Sequence, residues 1–139
     1  MKKILSLALL AAVSGTPALQ EVSVWRSVAL TDEATGWVVT QDKIVVYAGP
    51  NPEQSNEVAS FTTPYAATIL EAFGPSSAYD GQSLSCSRMK DGWTLTLRAA
   101  GADGHFALSA TTPNMCTDGP AHELWQAYKL LIEATHVAP

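Results

Sequence analysis

Four Asp-Gly pairs constrain what this chain can fold into: Asp80-Gly81, Asp91-Gly92, Asp103-Gly104 and Asp118-Gly119. The first three border segments in which apolar and polar residues alternate. In 93–99, Trp93, Leu95, Leu97 and Ala99 share one face, while Thr94, Thr96 and Arg98 share the other. In 105–110, Phe106, Leu108 and Ala110 alternate with His105, Ala107 and Ser109. A period of two marks a strand with one buried face. Tight hairpin turns need residues that tolerate positive φ, and Asp-Gly supplies them. The pairs at 91 and 103 therefore predict an antiparallel meander of strands near 83–89, 93–99 and 105–111, with Asp80-Gly81 opening the series. "SLSCS" (83–87) sets Leu84 and Cys86 against three serines. "KIVVYAG" (43–49), short and β-branched, reads as a further strand. Asp118-Gly119 stands apart because Pro120 comes directly after it and interrupts the chain there.

Two stretches carry both periods. "TTPYAATILEAFGP" (62–75) has helix punctuation, with Thr63 as cap, Pro64 in the first turn and Gly74-Pro75 at the end, yet Thr68, Leu70 and Ala72 alternate. In "AHELWQAYKLLIEATHV" (121–137), Leu124, Trp125, Tyr128, Leu131 and Ile132 form a helical stripe, whereas Tyr128, Leu130, Ile132 and Ala134 form a strand-like alternation. "GPNPEQSNE" (49–57) reads as a polar loop.

The first residues place Lys2 and Lys3 before an apolar run from Ile4 to Val13, followed by small residues. That order is a secretory signal peptide, with cleavage expected after Ala18 and Thr16 at the third position before it. The run is too short for a membrane span, which needs about twenty residues. An exported chain with two cysteines, Cys86 and Cys116, is expected to bridge them. Such a bridge would contribute about 3–4 kcal/mol. Removing 1–18 takes Lys2 and Lys3 from the 8 basic residues and none from the 13 acidic, leaving 6 against 13 and a net charge of −7. Nucleic acid and anionic membrane surfaces are poor partners for that balance, and a cationic partner is a good one. Residues 19–139 suit a single domain with one core.

No catalytic constellation stands out. "SRMK" (87–90) matches S-x-x-K, but inside a strand its serine and lysine would point to opposite faces. There is no G-x-S-x-G, Ser76-Ser77 reads as loop, and bridged cysteines are poor nucleophiles. His122-Glu123 lacks the second histidine of H-E-x-x-H, and His105, His122 and His136 show no zinc spacing, so no metal and no cofactor is expected. The chain is rich in aromatics: Trp25, Trp37, Trp93, Trp125, Tyr47, Tyr65, Tyr79 and Tyr128. These fill a β core or line a ligand surface. Trp37, Tyr79, Trp125 and Asp118 are the candidate binding residues.

Two stretches, "EATGWVVTQDKIVVYAGPNPE" and "CTDGPAHELWQAYKLLIEA", are similar to motifs of a family of poorly characterised bacterial envelope β-barrel proteins. That family carries E-P-(F/G)-W before a first strand and C-S-D-G-M-S-D before an aromatic-rich strand, alone or beside META and lysozyme-inhibitor domains. Gly36 and Trp37 match the first motif; Cys116, Asp118 and Gly119 match the second. Glu33 is one residue out of register, and Pro120-Ala121-His122 replaces Met-Ser-Asp. The resemblance implies that the tail is a final strand and that Asp118 bonds backbone amides in a turn. "SSAYDG" also echoes the S-G-x-x-Y of membrane-associated lysozyme inhibitors.

The expected fold is mainly β, a small antiparallel barrel or meander stapled by Cys86–Cys116; the alternative is α+β, with a C-terminal helix on an antiparallel sheet. The expected function is a periplasmic or secreted binding or inhibitory module without catalytic activity. Its target would be a cationic envelope protein such as lysozyme, or a small ligand. The alternatives are an assembly partner of an envelope complex and, behind it, an enzyme with an unrecognised site.

Overall fold

Strand β1 (Leu19–Val28) sits at the centre of the molecule, paired antiparallel with β2 (Ala34–Val39) on one side and β6 (Trp93–Gly101) on the other. A computed structural model describes residues 19–28, 33–86, 92–102 and 104–136. The segment expected to be a signal peptide (1–18), the Ser87–Lys90 motif, Asp91 and Asp103 lie outside the described residues. Strands β3 (Lys43–Gly49) and β4 (Asn56–Thr62) extend the sheet beyond β2, and β7 (Gly104–Thr111) and β5 (Ser83–Ser85) extend it beyond β6. The result is one seven-stranded sheet in the order β4-β3-β2-β1-β6-β7-β5.

Alternation decides which side chains enter the core. Val22 and Val24 of β1, Trp37 and Val39 of β2, Ile44 and Val46 of β3, and Leu95 and Leu97 of β6 are all wholly buried. Two helices pack on that face. Helix α1 (Tyr65–Ala72) starts where Thr63 Oγ1 accepts from the Tyr65 amide at 3.2 Å, and it buries Ala66, Ile69 and Leu70. The chain runs on through a 3-10 turn, Gly74–Tyr79, which holds the buried Ser76. Helix α2 (Gly119–Thr135) buries Ala121, Leu124, Ala127, Tyr128, Leu131 and Thr135, a stripe at spacings of three and four. It ends at His136, whose φ of 53° is left-handed and whose amide donates to Ile132 O at 2.8 Å. No helix among the described residues is long and apolar enough to cross a membrane.

The fold is mainly β, with the predicted strands at 43–49, 93–99 and 105–111 in place. Three details are corrected. The tail is a helix, as the α+β alternative had it, and not a final strand. A strand would bury Leu130 together with Tyr128, but Leu130 is 42% exposed while Tyr128 is fully enclosed. The sheet is open, since β4 and β5 lie at opposite ends of the strand order and do not pair to close a barrel. Finally, β5 does not form a hairpin with β6. It pairs with β7, in parallel, Leu84 opposite Ala110. Asp80-Gly81 is the reason. Asp80 at φ −52°, ψ 135° and Gly81 at φ 78° make a type II turn, closed by the Gln82 amide on Tyr79 O at 3.1 Å. Asp80 Oδ1 accepts from the Ala107 amide at 2.9 Å and the Gly81 amide donates to Ala107 O at 2.7 Å, which fixes the turn on the far edge of β7.

Cys86 and Cys116 form the predicted disulfide across 30 residues, with Cα atoms 5.5 Å apart. It ties the end of β5 to the entry of α2. Replacing both cysteines with serine should lower unfolding free energy by about 3–4 kcal/mol in urea titrations. A loss below about 1 kcal/mol would show that the edge strand is held without the bridge.

Candidate functional site

The four residues singled out from the sequence do not gather at one place. Trp37 is core: it is fully buried, its Nε1 donates to Thr135 Oγ1 at 3.3 Å, and its ring meets Tyr128 edge-to-face at 5.4 Å. A surface ligand has no route to it, which corrects its nomination. Tyr79 is half-buried at the end of the 3-10 turn, beside the Asp80 clamp. Asp118 is exposed at the N-cap of α2, and its side chain makes no capping bond, so the amide-bonding role implied by the resemblance is not what holds this turn. Gly119 at φ 80° makes the reversal there. Trp125 is half-buried and belongs to an aromatic cluster, 5.7 Å from Trp93 and 5.9 Å from Tyr128.

Two other regions carry chemistry. The first is the face of the sheet opposite the helices. By alternation it displays Ser23 and Trp25 of β1, Val38 of β2, Val45 and Tyr47 of β3, and Thr96 and Arg98 of β6, most of them half-buried. Trp25 and Gly36 are direct cross-strand partners, and a Cβ on Gly36 would overlap the Trp25 indole. The absent side chain therefore lets the ring lie down on the sheet. Two clefts adjoin here, of about 610 Å³ and about 380 Å³, sharing Ser23 and Arg98. Glu21, Asp80 and His105 border the larger; Trp25 and Glu53 border the smaller. The wall bearing Glu53 is a 3-10 turn, Pro52–Gln54, fixed by Asn51 Oδ1 accepting from the Gln54 amide at 2.9 Å.

The second region lies on the helix side, at the end of the core. Arg26 follows Val22 and Val24 on the buried parity of β1, paired with Thr35 and Leu95 across the strands. Its guanidinium stands over the Trp93 ring, 5.4 Å from the centroid. Trp93 in turn lies 5.7 Å from Tyr128, and its Nε1 donates to Asn114 Oδ1 at 3.1 Å. The Thr112 amide donates to Trp93 O at 2.7 Å. Thr112 holds φ 46°, ψ 53°, a left-handed conformation strained for a β-branched residue. Among the described residues, three buried atoms in this region have no hydrogen-bond partner: Arg26 Nε, Thr112 Oγ1 and Tyr128 Oη. Each such group costs about 1–3 kcal/mol when left unsatisfied. Burial pushes the Tyr128 hydroxyl pKa far above its ordinary value, an effect partly opposed by the Arg26 charge.

Among the described residues no three His, Cys, Asp or Glu side chains converge as a metal ion would require. The chain matches no protein-family model, and no curated protein matches its sequence. Arg26, Trp25 and Arg98 were not singled out from the sequence. A signal for Arg26 was present: it is the charged residue that interrupts the Val22-x-Val24-x-x-x-Val28 alternation.

The shift at Tyr128 fixes the sign of an alkaline effect. The unfolded tyrosine ionises near 10.0, while the folded one holds its proton well beyond that. Stability from this group is therefore complete below pH 10 and declines as pH rises above it. Thermal unfolding of wild type and Tyr128→Phe between pH 8 and pH 11.5 should show a steeper alkaline decline for wild type. Parallel curves would contradict the burial of the hydroxyl.

Proposed function

We propose that this protein is an exported, non-catalytic binding module that holds a cationic envelope protein against the face of its sheet opposite α1 and α2. The observation that carries this reading is the half-covered sheet itself. One face is sealed by two helices, and the other keeps an indole pressed flat over Gly36 beside two clefts. A large aromatic ring held rigidly at the centre of an open face loses little conformational entropy on binding, which is why tryptophan recurs as an anchor in protein interfaces.

Charge supports the class of partner. Glu21, Glu53 and Asp80 border the clefts, against Arg98. The whole chain has 13 acidic and 8 basic residues. An acidic rim steers a basic protein toward the face and leaves the affinity to the aromatic centre. The disulfide fits an oxidising compartment, and with the lysine-led apolar N-terminus it supports export to the periplasm or beyond. The motifs at Gly36-Trp37 and at Cys116, Asp118 and Gly119 favour kinship with the envelope family that they resemble, and lysozyme is the first target to try.

The test is a calorimetric titration of the oxidised protein with lysozyme, alongside a lytic assay, at 50 and 300 mM salt. A saturable complex that weakens at the higher salt is expected. Trp25→Ala should weaken it about tenfold. The proposal fails if no complex forms at either salt, or if Trp25→Ala binds as wild type does.

A further inference from the structure

The smaller cleft on the open face of the sheet has a use that needs no protein partner. Its floor is Trp25. The point where a Gly36 Cβ would stand is nearly equidistant from Cδ2, Cε2 and Cζ2 of the indole, so the ring covers Gly36 with its face and not its edge. The other face of the ring borders the cleft of about 380 Å³. Strand register supplies the surroundings. Thr96 is the direct cross-strand partner of Trp25 on β6, and Ser23 and Ser27 stand two residues to either side of it on β1. The indole therefore has Gly36 on one flank and a hydroxyl on each of the others. Among the described residues, none of these three hydroxyls is bonded to another protein group. The wall is stiff: Pro50 and Pro52 restrict its backbone, and Asn51 Nδ2 donates to Gln54 Oε1 at 3.0 Å. A floor and a wall set in place beforehand lose little freedom when a ligand arrives.

We propose that this cleft binds a neutral oligosaccharide, with the C–H face of one pyranose ring stacked on Trp25. Charge selects the class of ligand. Of the described residues that line the cleft, Glu53 and Arg98 are the charged ones, and they are opposite in sign. An ion drawn to one is repelled by the other, whereas an uncharged polyol can donate to Glu53 and accept from Arg98. Ser23, Ser27 and Thr96 both donate and accept, as sugar hydroxyls do. A pyranose with equatorial hydroxyls carries its polar groups at the rim and leaves C–H groups on its faces. Such a ring matches a flat indole with hydroxyls around it. The length of the site favours a chain over a single sugar, because Ser23 and Arg98 also line the adjoining cleft of about 610 Å³. A saccharide and a protein would share Trp25, so the two occupants exclude each other on this face.

Cellotriose and triacetylchitotriose are the probes, titrated calorimetrically into the oxidised protein at low and at high salt. Sorbitol, which has hydroxyls but no ring, and phenylalanine, a zwitterion with a flat apolar ring, are the comparators. At least one trisaccharide should bind saturably and more tightly than either comparator. Its affinity should be the same at both salts, because the ligand carries no charge. Trp25→Ala should weaken it about tenfold. Thr96→Val removes one hydroxyl, keeps the shape of the side chain and should weaken binding about threefold. The assignment is overturned if neither trisaccharide gives a saturable response, if sorbitol or phenylalanine binds as well, if the affinity falls as salt rises, or if Trp25→Ala binds as wild type does. Should Trp25→Ala not fold, unchanged binding by Thr96→Val overturns it instead. Saccharide binding is measured without a protein partner and is indifferent to salt, so it can fail while a salt-sensitive lysozyme complex forms, and the reverse.

Discussion

The contact between Trp37 and helix α2 organises the rest of the structure. A sheet of this width exposes two faces, and β1 to β3, β6 and β7 offer their fully buried aliphatic side chains to only one of them. Something must cover that face, and the helix does so by laying Tyr128 edge-on against Trp37 and offering Thr135 Oγ1 to its indole N–H. Thr135 can accept because its own hydroxyl proton is directed to Leu131 O at 2.9 Å. The largest core side chain thus has its polar atom satisfied by the helix that encloses it, which fixes where α2 lies on the sheet. Once α2 is placed, Leu124 and Leu131 fall into the core, and Trp125 and Lys129 fall toward its margin, 5.9 Å from each other as ammonium and ring.

Much of this was legible in the residues. The strands at 43–49, 93–99 and 105–111 were readable because each buries one face only, so the period of two survives into the sequence. The disulfide was readable because two cysteines allow one internal pairing. The tail was divided by its periodicity, which fits a helical stripe and a strand alternation alike, and burial of Leu131 together with exposure of Leu130 resolves it in favour of a helix. Strand β4 was hidden for a different reason: it is an edge strand whose residues are mostly exposed, with Val58 at 61%, and only Ala59 and Phe61 turn an apolar face to the core, too short an alternation to stand out. Strand β1, the central one, was overlooked although Val22 and Val24 alternate plainly, because Arg26 occupies a core position where an aliphatic residue would have completed the pattern.

That failure of pattern is informative. A guanidinium on the buried parity of a central strand, stacked on an indole and next to an enclosed phenol, runs against the economy of a β core. The nominated site residues drifted elsewhere because residue type alone ranks tryptophans and loop acids highly. It does not tell Trp37, which is enclosed, from Trp25, which lies on the open face. Only the register, which sets Trp25 opposite a glycine, separates the two.

The parallel seating of β5 beside β7 also dictates an order of assembly. Residues 83–85 leave a synthesising ribosome before their partner strand at 104–111 exists, and Cys86 waits thirty residues for Cys116. The β6–β7 ribbon, local in sequence, can form by itself, and the short edge strand can be seated only afterwards. With a single possible internal pairing, oxidation has no wrong isomer to sample. The bridge is thus a latch that closes late, and a chain carrying it has already brought both ends of that crossover together.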